Sequence, residues 1–219
     1  MQTTSVVFDF DGTVIDSKPG IIRCLKSVSE IYGLDSGCIN DAAIGPPAEE
    51  TIKRLMPNHG SEVRGDFLKA FRESYALHGW SDCSLYPGIM DLLEDLRDSG
   101  ARIFICTSKR EDLTLRLLYH FKLRSYFQAV VADRDDLPSH DKRDLLAGLI
   151  EAEGIDVSSS FMIGDSKYDM DAARANGLNT IGVLYGYGSH EELVASKPDA
   201  LCEAPRAIFH FLESIGALG

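Results

Sequence analysis

The chain has 219 residues, 44% of them hydrophobic and 26% charged, with 34 Asp and Glu against 22 Lys and Arg for a net charge of −12. That length supports one large domain, or one domain carrying a smaller insert, with a core that needs no disulfides. The acidic balance excludes general binding to nucleic acid or anionic membrane, both of which want basic surface, but not a small anionic substrate held by local cations.

The five cysteines, Cys24, Cys38, Cys83, Cys106 and Cys202, form no CxxC pair, the usage expected of thiols in a reducing compartment. The N-terminus lacks a signal-peptide pattern and no apolar run approaches the ~20 residues that span a bilayer, so a soluble, cytoplasmic protein is expected.

The first element is a short apolar run, Val6–Phe10, read as a buried strand. A largely helical stretch follows from Pro19 to about Ala76. IIRCLKSVSEIYG has apolar residues near helical spacing and ends at Gly33, Ala48–Leu55 and Glu62–Leu77 give two more helices, and AIGPP (Ala43–Pro47) is a rigid break. From Tyr86 the pattern changes. PGIMDLLEDLRDSG reads as an amphipathic helix starting after Pro87 and ending at Gly100, ARIFICTSK as a second strand, Arg110–Phe121 as a helix and Phe127–Ala132 as a third strand. Asp141–Glu153 is a helix, SSFMIGDS a fourth strand, Lys167–Asn176 a helix closed by Gly177, and Asn179–Val183 a fifth strand. Glu191–Ala195 and Pro205–Ile215 are the last helices. Alternating strands and helices after residue 86 imply right-handed crossovers and a mainly parallel sheet covered on both faces. The expected fold is α/β: a Rossmann-like core from residues 1–16 and 86–219, with a small α-helical domain, residues 17–85, inserted after the first strand.

In such a sheet, ligands bind beyond the carboxyl ends of the strands. The first strand ends in Asp9-Phe10-Asp11, the second in Thr107-Ser108-Lys109, and the fourth in Asp165, with Asp169 four residues on. Several carboxylates crowded at a buried sheet edge stay ionised only with a cation among them. A donor set of oxygens without His or Cys suits Mg2+, which in turn implies a phosphate partner. Asp9 and Asp11 point to the same side of an extended segment. That offset lets Asp9 reach a phosphorus atom while Asp11 reaches the leaving oxygen, the geometry of covalent catalysis with a general acid and base beside the nucleophile. Gly12 turns the chain there, and exposed N–H groups can hold phosphate oxygens.

DFDGTV, FICTSK, Lys142 and GDSKYD, in that order, resemble the four motifs of the haloacid dehalogenase-like hydrolase superfamily. The insert directly after the first motif resembles a helical cap, and the IGPP break and VLYGYGS segment are similar to the phosphoglycolate phosphatase-like branch. The resemblance implies a Mg2+-dependent phosphatase acting on a small phosphorylated metabolite through an aspartyl-phosphate. It makes Asp9 the nucleophile and a metal ligand, Asp11 the general acid and base with its backbone carbonyl a further ligand, and Asp165 a ligand; Asp169 binds the metal directly or through water. Thr107, with Ser108 and Gly12, is expected at the phosphate. Lys142 is expected to offset charge on Asp9 and the phosphoryl group. It stands in SHDKRDLL without the proline that often follows this lysine in relatives, and Lys109 is its rival.

Substrate choice is expected to lie with the cap. Gly45, Pro46 and Pro47 are the candidates, with Arg54 and His59 as further residues that could reach in; Tyr185 and Tyr187 either line the pocket or pack under the cap, in a segment that Gly182, Gly186 and Gly188 make flexible. Lys167 is read as a surface residue. Phosphoglycolate is weakly favoured over nucleoside monophosphates. A sugar phosphomutase is disfavoured because Glu49 and Glu50 stand where an arginine is expected. Dehalogenase chemistry and a degenerate binding module are disfavoured by the retained acids. The protein is expected to be a monomer or homodimer.

Overall fold

The side chains of β1 (Ser5–Phe8), buried along its whole length, alternate between two cores. Val6, Phe8 and the following Phe10 enter one cluster with Ile103, Ile105 and Ile163, while Val7 enters the other with Phe104, Cys106 and Met162. A strand apolar on both faces belongs in the middle of a sheet covered on both sides. The computed structural model, which describes residues 3–39, 44 and 48–218, puts β1 there. Among the described residues the main sheet has six strands in the order β5 (Ala129–Asp133), β4 (Arg102–Arg110), β1, β6 (Phe161–Gly164), β7 (Asn179–Val183) and β8 (Ala200–Cys202), all parallel. Helices α4 (Ile89–Asp98), α5 (Glu111–His120) and α9 (Pro205–Ser214) cover the first core, α6 (Lys142–Glu153) and α7 (Lys167–Ala175) the second. The short α8 (His190–Ala195) puts its buried Leu193 beside Gly182 of β7.

The chain runs from β1 to β4 and β5 on one side, then returns to β6 on the other. Order reverses around β1, and a crevice opens at its carboxyl end. Five strands are legible in the sequence. The sixth, β8, is three residues long at the sheet edge with Leu201 exposed, too short and too mixed to show periodicity.

The segment after β1 folds into α1 (Lys18–Ile31), α2 (Ala48–Leu55) and α3 (Ser61–Ser74), the last passing into a π-turn at Tyr75–Gly79. These helices bury a third cluster, including Leu25, Val28, Ile52, Met56, Phe67 and Phe71, and Leu113 of α5 and Tyr187 meet it from the core side. The chain enters and leaves this insert through paired strands: β2 (Ile15–Asp16) runs antiparallel to β3 (Ser84–Leu85), and the Tyr86 N–H donates to the Val14 carbonyl at 3.2 Å. No helix among the described residues is long and apolar enough to cross a membrane, and Cys24, Cys83, Cys106 and Cys202 carry free thiols.

Within the insert, α1 lies against the π-turn through Gly20 and Gly79. A Cβ on Gly20 would stand 2.2 Å from the Gly79 carbonyl oxygen. Helix propensity alone would credit Gly20→Ala with up to ~1 kcal/mol, but backbone cannot yield as a side chain does, and overpacking costs about 1–3 kcal/mol. Gly20→Ala should therefore lower the urea midpoint; a raised midpoint would show that α1 and the turn separate freely.

Candidate active site

Three acids gather at the crevice. Asp9, directly after β1, is fixed by its N–H, which donates to the Ile163 carbonyl at 2.8 Å. Asp165 follows β6, and its Oδ2 accepts from the backbone N–H groups of Tyr187 and Gly188, both at 2.9 Å. Asp169 lies in the first turn of α7, where its Oδ2 accepts from the Ser166 N–H at 3.0 Å and the Ser166 hydroxyl at 2.6 Å. One oxygen from each of the three lies within 4.8 Å of the others. Lys142 joins them, its Nζ 2.7 Å from Asp9 Oδ1 and bonded to Asp169 Oδ1. It is the first residue of α6, after the N-cap Asp141. The helix dipole disfavours a cation there, and the two carboxylates compensate.

The electrostatics of the cluster follow from burial. Asp9 is 9% exposed, and burial lifts its pKa to about 6 although Lys142 opposes the rise. Burial, then the neighbouring Asp169 and Asp9, pushes Asp165 up to about 8. Burial alone would lower the Lys142 pKa, but Asp169 and Asp9 outweigh it and raise it. With all three carboxylates ionised, the one ammonium leaves two negative charges uncompensated. Cys106, within the electrostatic reach of the cluster, is pushed by burial to about 12 and stays a neutral thiol. Hard oxygen donors, a deficit of two charges and no competing soft ligand together fit Mg2+.

Asp11 stands apart from this cluster. Lys109 Nζ contacts both of its oxygens at 3.0 and 2.9 Å, and the Ser17 hydroxyl donates to Oδ1 at 2.6 Å. The same ammonium donates to the Tyr75 hydroxyl at 3.1 Å, reaching from core to insert. Each lysine thus has its own acid: Lys142 sits on Asp9 and Lys109 on Asp11.

Thr107 and Ser108 line the cavity. Thr107 Oγ1 accepts the Lys109 N–H at 3.2 Å, which leaves the hydroxyl proton to donate elsewhere. Gly12 differs from expectation. Its N–H donates to the Ile15 carbonyl at 2.8 Å, so that donor is committed inside a turn. Its φ of +83° and the 2.3 Å that would separate a Cβ from Asp165 Oδ2 give it another purpose, admitting Asp165 to the site. The glycines of the late segment likewise do not make a loose loop. A Cβ on Gly186 would fall 2.2 Å from Asp165 Cβ and one on Gly188 2.0 Å from the Asp165 carbonyl oxygen, while Gly182 packs under Leu193 and Leu201. The chain is wound tightly around Asp165.

The cavity above these groups has a volume of about 590 Å³ and extends under the insert. Tyr187 lines it, its hydroxyl 3.0 Å from Ser17 Oγ. Tyr185 turns into the core, its hydroxyl donating to the Thr13 carbonyl at 3.0 Å and its ring packed on Tyr86. Arg54 pairs with Glu50 at 2.8 Å, and neither Arg54 nor His59 lines the cavity. Lys167 pairs with Glu192 at 3.0 Å. Gly45, Pro46 and Pro47 lie outside the described residues; Ile44 lines the cavity. Phe71, Tyr75 and Arg72 of the insert also line it. No motif marks them in the sequence, since only the rotational phase of a helix brings them inward.

The family model described as haloacid dehalogenase-like hydrolase matches residues 6–183. The chain is 31% identical over 218 residues to a 5'-nucleotidase of Pseudomonas aeruginosa, covering 98% of this chain and 97% of that protein. It is 31% identical to a phosphoglycolate phosphatase of Agrobacterium fabrum, covering 96% and 94% respectively. It is 33% identical to the tyrosine-protein kinase PtkA of Mycobacterium tuberculosis over 84% of this chain but only 62% of the relative. The crystal structure of a predicted phosphatase from Clostridium acetobutylicum superposes with a TM-score of 0.89 at 29% identity, covering 98% of this chain and 100% of that one.

Metal-free stability should depend on pH in a defined direction. In the folded protein Asp9 and Asp165 keep their protons at pH values where the unfolded chain has released them. Their contribution is therefore fully present below about pH 4 and is lost as pH rises through about 6 and about 8. Calorimetry without divalent ions should show Tm falling over that range, with a shallower fall in Asp165→Asn. Millimolar Mg2+ should raise Tm more at the alkaline end, because the ion competes with protons for the same oxygens. A Mg2+ effect that is equal at both ends would remove these carboxylates from the metal site.

Proposed function

The chain belongs to the haloacid dehalogenase-like hydrolases, and on that footing we propose that it is a Mg2+-dependent phosphatase hydrolysing a small-molecule phosphomonoester through an aspartyl-phosphate on Asp9. The observation that carries this reading is the separation of the two first-motif aspartates. Asp9 opens on the cavity with a lysine on one oxygen, and Asp11, two residues on, opens on the same cavity with a different lysine and a serine fixing its side chain.

In the first step a carboxylate oxygen of Asp9 forms a bond to phosphorus as the bond to the leaving oxygen breaks, and Asp11 delivers a proton to that oxygen. In the second, Asp11 takes a proton from water, whose oxygen attacks the phosphorus and returns Asp9 to its carboxylate. Lys142 and the Thr107 hydroxyl hold charge on the equatorial oxygens, where phosphoryl transfer needs it. Asp9, Asp165 and the backbone carbonyl of Asp11 would hold Mg2+, which would supply Lewis-acid compensation for the same oxygens. Asp169, with both oxygens already accepting from Ser166 and Lys142, orients Lys142 and would add negative charge beside the metal site. The insert acts as a cap that excludes bulk water from the phospho-enzyme. A mutase must return the phosphoryl group to a sugar, and the Glu49 and Glu50 of α2 offer no cation for that sugar phosphate.

Asp9→Asn should abolish turnover with an unchanged circular dichroism spectrum. Asp11→Asn should lower kcat by roughly 10² or more. With an aryl phosphate, whose leaving group needs no proton, Asp11→Asn should also accumulate a phosphoryl adduct on Asp9 visible by mass spectrometry after acid quench. Wild-type turnover by Asp9→Asn, or an adduct on another residue, would sink the nucleophile assignment.

A further inference from the structure

The part of the cavity away from Asp9 is chemically distinct from the phosphate end. Its walls are Ile21, Leu25, Ile44, Ile52, Phe71 and Leu113. Phe71 and Tyr75 stand together there with ring centroids 6.1 Å apart and planes 34° from parallel, presenting aromatic surface to whatever enters. The volume, about 590 Å³, falls within the range of pockets that enclose whole small molecules, roughly 300–1,000 Å³. A phosphoryl group with a two-carbon stub would leave most of it as water against apolar side chains, which is unfavourable.

The charges point the same way. Among the described residues, every lysine and arginine lining this cavity already has a carboxylate partner. Lys142 holds Asp9 and Asp169, Lys109 holds Asp11, and Arg110 holds Asp135. Arg143 holds Asp141 at 2.5 Å, and Arg72 holds Glu49 at 2.7 Å. Asp133, Asp165 and Asp171 also line the wall. A leaving group with its own carboxylate would find no unshared cation and would face excess acid. Glu49, which lines the cavity with an exposed side chain, is instead an acceptor for hydroxyl or amino hydrogens.

We infer that the substrate's leaving group is uncharged and carries a ring, as in a nucleoside or an aryl alcohol, and that Phe71 and the Glu49–Arg72 pair select it over carboxylate-bearing leaving groups. The inference rests on the phosphatase reading above and goes beyond it by naming the class of ester. Phe71 supplies apolar contact for the ring. The Glu49–Arg72 pair supplies polar contacts at the wall while keeping the guanidinium from attracting a second anion.

The test is a comparison of kcat/KM with Mg2+ for a purine and a pyrimidine nucleoside 5'-monophosphate, phenyl phosphate, methyl phosphate and phosphoglycolate. The ring-bearing esters should lead phosphoglycolate by at least about tenfold, mainly through KM, the scale on which apolar pocket contacts discriminate. Glu49→Gln, which uncovers Arg72, should narrow that ratio by raising kcat/KM for phosphoglycolate. Phe71→Ala should narrow it from the other side by lowering the ring-bearing esters, and Phe71→Leu serves where the alanine variant does not fold. Nucleotides ahead of phenyl phosphate would assign recognition to base and ribose, and parity would assign it to the ring alone; both support the inference. Phosphoglycolate turned over as well as the nucleotides, with Asp9→Asn still dead, overturns the inference and leaves the phosphatase reading standing. No turnover of any ester overturns both.

Discussion

Lys142 is an ammonium buried at the N-terminus of a helix, a place where both desolvation and the helix dipole work against it. It is kept there by Asp9, which follows β1, and Asp169, in the first turn of α7. Those carboxylates are themselves buried, and without the lysine they would face each other across a few ångströms. Neither sign of charge is tolerable alone. The strand tips, the start of α6 and the start of α7 are therefore held in one arrangement by mutual need, and that arrangement leaves two negative charges for a divalent ion to offset. Charge is concentrated where the sheet offers no water to disperse it, which is the condition under which an ionised side chain can both bind a metal and act as a nucleophile.

The support of this cluster reaches well beyond its members. Asp165 is fixed by two N–H groups from the turn around Tyr187, and that turn can approach only because residues 12, 186 and 188 lack a Cβ. Asp169 likewise fits only over Gly164, where a Cβ would lie 2.2 Å from its Cγ. The glycines around the site are thus steric permissions rather than hinges, and the loop they form is bound to the Asp165 carboxylate by backbone hydrogen bonds. Tyr187 in the same turn reaches Ser17, which touches Asp11, so Asp165 and Asp11 are braced from one segment late in the chain.

How much of this was legible in the sequence depends on the range of the interaction. The parallel strands announce themselves by unbroken β-branched and aromatic runs, and the acids at their ends stand out because a buried strand seldom runs into two carboxylates. Asp9, Asp11 and Asp165 are visible for that reason, and Asp169 and Thr107 by their places in the motifs that follow the strands. Lys142 beside Asp9 is expected from the resemblance, with Lys109 its rival; that Lys109 instead serves Asp11 is assigned only by the sheet's three-dimensional order. Gly12 is legible as a point of close backbone approach, but that the approaching group is the Asp165 carboxylate is not. Residues of the insert were the least legible: Arg54 and Arg72 both look like helix-surface cations, and helical phase sends one to Glu50 outside and the other to the cavity wall.

The side-by-side pairing of β2 and β3 has a consequence for how such a molecule can change over evolutionary time. Because the segment between them leaves and rejoins the sheet at neighbouring positions, its length enters the folding of the remainder only as a slowly growing closure entropy. Helices there can be lengthened, trimmed or replaced wholesale while the acid–lysine arrangement beneath keeps its register. The sheet with its acids and the helical segment that roofs the cavity can accordingly diverge at different speeds within one polypeptide.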